Sequence, residues 1–122
     1  MRDIESFRMY CLSKPGVEEG FPFGEDTLVF KVLGKMFALT GLSSPDFKVN
    51  LKCDPEWAIE LREAYPDEIF PGFHMSKKHW NTVLFDRHLR EDLLCQMVDH
   101  SYALVVAKLP AKQRESLQKM GE

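Results

Sequence analysis

Between Phe70 and Thr82 the chain sets a Pro71-Gly72 turn, His74, Lys77, Lys78, His79 and Trp80 within thirteen positions. That mixture offers three chemistries. Imidazoles ligate metals, ammonium groups pair with phosphates, and an indole face stacks a base or receives a cation. A metal needs three or four converging donors, yet His74 and His79 stand five apart, on different faces of any helix, with no Cys or carboxylate between them. Catalysis meets the same scarcity. Ser76, Ser101, Cys53 and the adjacent Asp99-His100 are isolated groups, framed by no nucleophile elbow, HExxH or phosphate loop. The expectation is a protein of contact rather than chemistry, non-enzymatic and without a cofactor.

A second basic block supplies Lys31, Lys35, Lys48 and Lys52. The net charge of -3 and pI near 5.8 exclude a protein that coats nucleic acid by bulk electrostatics. The distribution says more. Residues 31–53 and 74–90 each sum to +3, and they alternate with -3 over 1–30 and -5 over 54–73. Lys31, Lys48 and Lys52 are candidate phosphate contacts, and Asn50 is a candidate donor to a base or sugar. Lys77 and Lys78 beside Trp80 would add a phosphate contact and a stacking surface. The plainer alternatives stay open: lysines on a sheet face keep it soluble, and a large aromatic such as Trp80 is usually core.

The elements that must position these residues are legible as periodicities. Ile4, Phe7 and Cys11 recur at helical steps behind Asp3 as a cap, so residues 4–13 read as an amphipathic helix ended by Pro15-Gly16. Val17 to Gly24 reads as an aromatic loop or an irregular edge strand, because Pro22 cannot donate to a ladder. Residues 27–33 and 36–42 form a hairpin with Gly34-Lys35 as a type II′ turn. Phe47 to Lys52 alternates strictly, placing Phe47, Val49 and Leu51 inward and Lys48, Asn50 and Lys52 on the opposite face, which Lys31 joins if Phe30 and Val32 point inward.

Asp54-Pro55 opens a second helix whose stripe is Trp57, Ala58, Leu61 and Tyr65. Ile69-Phe70 and Trp80 to Phe85 are two further strands, bracketing the basic loop. Arg90 to Lys108 is a long helix, and Pro110 starts a short final one. The order is helix, three strands, helix, two strands, helices. Such runs demand antiparallel pairing and give an α+β two-layer sandwich, with helices on one sheet face and the other face partly open.

With 122 residues, 44% hydrophobic and 29% charged, the chain reads as one domain, 1–122, that buries a core without disulfides or metal. Cys11, Cys53 and Cys95 are unpaired in spacing, which suits reduced thiols. Short apolar runs and a charged N-terminal segment predict no membrane span, no signal peptide and a cytoplasmic location.

Several separated motifs in order resemble the MmcQ/YjbR family of small bacterial proteins. They are Pro15-Gly16-Val17-Glu18-Glu19 with Phe21-Pro22-Phe23-Gly24, Gly34-Lys35-Met36-Phe37-Ala38, Leu51-Lys52-Cys53-Asp54-Pro55, Pro71-Gly72-Phe73-His74-Met75 with Lys77-Lys78-His79-Trp80-Asn81-Thr82, and Ser101-Tyr102. The resemblance implies a two-layer fold similar to secretion-chaperone and CyaY-like folds, and a DNA-binding role with a double-wing mode. Phe73 stands where that family often has Tyr, and Ser76 where it often has Asn. The fold likeness to chaperones also admits a protein-interaction adaptor, docking through sheet edges or the Phe21–Phe23 loop. A small-ligand or metal site at His74 and His79 is a third reading.

Overall fold

The computed structural model describes residues 1–121. Among them are α1 (Ile4–Leu12), β1 (Val17–Gly20), β2 (Thr27–Val32), β3 (Lys35–Gly41), β4 (Lys48–Lys52), α2 (Pro55–Ala64), β5 (Ile69–Pro71), β6 (Trp80–Leu84), α3 (Glu91–Ala107) and α4 (Ala111–Gly121). The strands form one antiparallel sheet in the order β1-β2-β3-β4-β6-β5. Helices cover one face, as the alternating strands require. The acidic stretch Val17–Gly20 is a true edge strand and adds one strand to the expected order. It pairs Glu18 with Lys31 and Gly20 with Val29.

Facing residues of neighbouring strands share a side of the sheet. The inward row Leu28, Thr40, Val49, Val83, Ile69 crosses five strands and is buried throughout. Above it, Phe7 of α1 meets Phe30, Phe47 and Phe85 edge-on, with ring centroids 5.4, 5.7 and 5.4 Å apart. Leu94, Met97, Val98 and Val105 of α3 complete the core. Each such buried side chain contributes about 1.5–3 kcal/mol.

The β2–β3 hairpin departs from simple pairing at two places. Its turn is Leu33-Gly34 rather than Gly34-Lys35, and the φ values of 46° and 87° match a type I′ turn, not type II′. The cause is register: Val32 pairs with Lys35, leaving two residues between them. In addition, β3 carries a bulge opposite Phe30 and Lys31, so the consecutive residues Phe37 and Ala38 are both buried in the core.

Helix ends follow the expected chemistry. Ser6 N–H donates to Asp3 Oδ1 at 2.9 Å, and Asp54 Oδ2 accepts from the amides of Glu56 and Trp57. The Asp54 amide in turn donates to His100 Nε2 at 3.0 Å, tying the start of α2 to α3. No helix among the described residues is long and apolar enough to cross a membrane.

Candidate functional site

The open face of the sheet is organised by one row through all six strands: Gly20, Val29, Leu39, Asn50, Thr82 and Phe70. The connection after β5 folds back over this row. Phe73 N–H donates to Thr82 Oγ1 at 2.9 Å, the Thr82 hydroxyl donates to Asn50 Oδ1, and Asn50 Nδ2 donates to the Phe73 carbonyl at 3.2 Å. This closed triangle satisfies both backbone groups of Phe73 with side chains of β4 and β6. The Phe73 ring itself stays 62% exposed.

The next residue, His74, has φ 61°, a left-handed conformation costly for a side-chain-bearing residue. Its ring packs against Phe73 with centroids 4.1 Å apart. On the other side of the loop, Arg62 of α2 donates to Asn81 Oδ1 at 2.7 Å and to the carbonyls of Lys77 and Trp80. Lys77 Nζ donates to the Gly72 carbonyl at 3.2 Å. Residues 72–80 are therefore braced from both ends and from within.

Phe73 lines two hollows. The larger, about 460 Å³, has Phe23, Leu39 and Met75 as apolar lining, with His74, Thr27 and Ser44 also lining it. The smaller, about 300 Å³, lies between Phe70, Leu84 and Asp46. Lys48, Phe73 and Thr82 line both, so the two form one groove with Phe73 on its divide and Lys48 reaching either side. The larger volume falls in the range of ligand pockets, and its apolar wall with few polar groups has their usual composition.

The residues singled out from sequence distribute unevenly around this groove. Lys48 lines it. Asn50 is at its floor, but its amide is engaged by Phe73 and Thr82, so it positions the loop instead of offering a free edge to a base or sugar. Lys52 stands at the other end of β4, roughly 13 Å along the strand. Lys31 faces Glu18 on one side and Met36 on the other. Lys77 is turned to Gly72, while Lys78 is exposed.

Of the two readings of Trp80, the stacking one is corrected and the core one holds: the residue is only 8% exposed. Gly72 lies directly against it, where a Cβ would stand 2.6 Å from Trp80 Cβ and 2.9 Å from its carbonyl oxygen. The rings open to stacking are instead Phe73 and Phe23, the latter 67% exposed. A signal for them exists in the chain, since an aromatic next to Gly72 or Pro22 in a loop has no strand partner to bury it.

Asp99, His100 and Ser101 have other partners. Asp99 accepts from Tyr10 and Lys14, His100 accepts from the Asp54 amide, and Ser101 bridges two strands. Three consecutive residues thus point three ways. Burial pushes the thiols of Cys11 and Cys53 up to about 12, leaving both protonated near neutrality. Among the described residues no three His, Cys, Asp or Glu side chains are grouped to hold a metal ion, His74 and His79 included.

The YjbR family model matches residues 12–104. The Escherichia coli O157:H7 protein YbdF is 36% identical over 115 residues, covering 93% of both chains. Escherichia coli K12 YjbR is 33% identical over 114 residues, covering 93% of this chain and 96% of its own. The crystal structure of Deinococcus radiodurans DR2400, a DUF419 domain, superposes with a TM-score of 0.90 at 41% identity, covering 97% of this chain and 89% of that one. A Pseudomonas syringae protein structure shares the fold alone, with a TM-score of 0.68 at 24% identity over 84% of this chain and 97% of that one. The chain belongs to the YjbR family.

Proposed function

We propose that the protein is a non-catalytic module that binds single-stranded nucleic acid in the groove on the open face of its sheet. The observation that carries this reading is the exposed Phe73 ring, held on a pinned backbone between two hollows that share Lys48. A base stacked on the part of this ring that His74 leaves open gains about 1–3 kcal/mol, with little dependence on which base it is. Lys48 lines both hollows, which supports its pairing with the strand's phosphate, and Phe23 offers a further flat surface.

This narrows the DNA-binding role that the family resemblance implies. A duplex presents phosphates along a continuous line, whereas Lys48 and Lys52 stand at opposite ends of β4, Lys31 faces Glu18, and the Lys77 ammonium is engaged by Gly72. A single strand needs fewer cations when rings supply part of the binding free energy. The net charge of -3 favours the same choice.

A second reading has its own observation. Phe21, 51% exposed, stands two residues from Phe23, the 67% exposed ring of the groove wall, and the pair suits an apolar peptide and hence a protein-interaction adaptor. Fluorescence anisotropy with a short oligothymidylate and a duplex of equal length, at low and physiological salt, separates the readings. The nucleic-acid proposal expects the single strand to bind more tightly, and Phe73→Ala and Lys48→Gln each to weaken it. No single-strand affinity at low salt would overturn it, and a protein captured through Phe23 would then favour the adaptor.

A further inference from the structure

We infer that a second binding site, for a phosphate oxyanion, lies at the opposite end of the sheet, where Lys35, Lys52 and Lys108 line one hollow of about 340 Å³. It is separate from the groove: the groove takes Lys48 at the start of β4 and Gly41 at the end of β3, the hollow Lys52 at the end of β4 and Lys35 at the start of β3.

Ser101 makes the space. β3 and β4 pair directly from Thr40–Val49 to Ala38–Leu51. At the next step the fully buried Ser101 hydroxyl stands between them, accepting from Lys52 N–H at 2.9 Å and donating to the Phe37 carbonyl. The bulge at Phe37 reinforces the separation. Beyond this wedge Lys35 and Met36 leave one strand and Lys52 the other, and the end of α3 closes the gap with Val105, Lys108 and Leu109.

Three lysines line one hollow, and among the described residues none of them is ion-paired with a carboxylate. The Lys52 pKa is lowered, by burial first and by Lys108 second. A solubilising role does not require convergence. Nor does the C-terminus of α3 need these lysines, because Arg114 already donates to the carbonyls of Ala107 and Leu109 at 3.1 Å each. A dianionic phosphate group would relieve the repulsion of Lys52 by Lys108 and present several acceptors to the three donors. Met36, Val105 and Leu109 then form a wall for the organic part of the ligand.

That chemistry has two sources: a small phosphorylated molecule, or a backbone or terminal phosphate of a nucleic acid. Titration of the labelled protein with pyrophosphate at low salt, followed by amide resonances, tests the site itself. The proposal expects saturable shifts at Met36, Lys52 and Lys108 with little change at Phe73, and roughly tenfold weaker binding in Lys35→Gln/Lys108→Gln. Lys77→Gln/Lys78→Gln, with the same charge removed elsewhere, should leave the affinity unchanged. A parallel titration with a short oligothymidylate assigns the source: shifts at these amides that pyrophosphate competes away identify nucleic-acid phosphate, and shifts confined to Phe73 and Leu39 identify a small phosphorylated molecule. Absence of saturable pyrophosphate binding, or equal loss in the two double variants, overturns the site whatever the outcome for the groove.

Discussion

Asn50 Nδ2 donates to the carbonyl of Phe73 at 3.2 Å, joining the middle of the sheet to the exposed loop that crosses it. Together with the Thr82 hydroxyl it lets a solvent-facing ring sit on a backbone held by side-chain hydrogen bonds. Asn50→Ala removes one donor and one acceptor from this triangle. The expected cost is about 1–2 kcal/mol of stability, with faster hydrogen exchange at the Phe73 amide, read by chemical denaturation and exchange NMR. Unchanged exchange at Phe73 would contradict the positioning role.

Ser101→Ala should be more damaging than the loss of one hydroxyl suggests. It strands the Phe37 carbonyl and the Lys52 amide between strands that are held apart. One buried and one part-buried backbone group then lose their partner, for an expected destabilisation of about 2–4 kcal/mol by urea denaturation. A change below about 0.5 kcal/mol would mean that the strands simply re-pair.

Gly72 has no positive φ, so its requirement is contact rather than backbone strain. A methyl group there meets Trp80 Cβ and the Trp80 carbonyl, and the carbonyl cannot rotate away. Gly72→Ala is expected to destabilise by about 1–3 kcal/mol and to raise Trp80 exposure, detectable as a red-shifted emission. An unshifted spectrum with unchanged stability would show that the loop gives way freely.

His100 predicts a pH dependence. It accepts the Asp54 amide through Nε2, which requires the neutral ring, and burial lowers its pKa from 6.5 while the Asp54 carboxylate opposes that shift. Above pH 6.5 the ring is neutral folded or unfolded, and the bond contributes in full. As pH falls below 6.5 the unfolded chain takes up the proton first, so this stability is lost progressively until pH passes the folded-state value. Denaturation of wild type and His100→Gln between about pH 7.5 and 5 should show a steeper fall for wild type. Parallel profiles would contradict the assignment.

Much of the scaffold is written locally. Asp3 and Asp54-Pro55 announce helix starts, and the alternation from Phe47 to Lys52 sets which side chains face the helices. The open face as the place to look also follows from that alternation. What escapes local reading depends on partners far along the chain. Glu18 and Glu19 have no strand signature until Lys31 and Phe30 lie beside them, and the Leu33-Gly34 turn follows from a register set by the whole hairpin. Asn50 reads as free to meet a ligand, and Trp80 as either a stacking surface or core, because nothing nearby in sequence reveals that the loop will engage one and lie against the other. Lys108 joins Lys35 and Lys52 only because α3 ends above the split in the sheet.

Phe73 is central to the proposed function as a stacking surface fixed between two halves of one groove. Its most direct test is the affinity of wild type and Phe73→Ala for a short oligothymidylate at low salt, with loop exchange rates measured alongside. The variant is expected to fold normally and to bind roughly 5- to 100-fold more weakly. Equal affinity of the two proteins, or no binding by wild type, would contradict the stacking role.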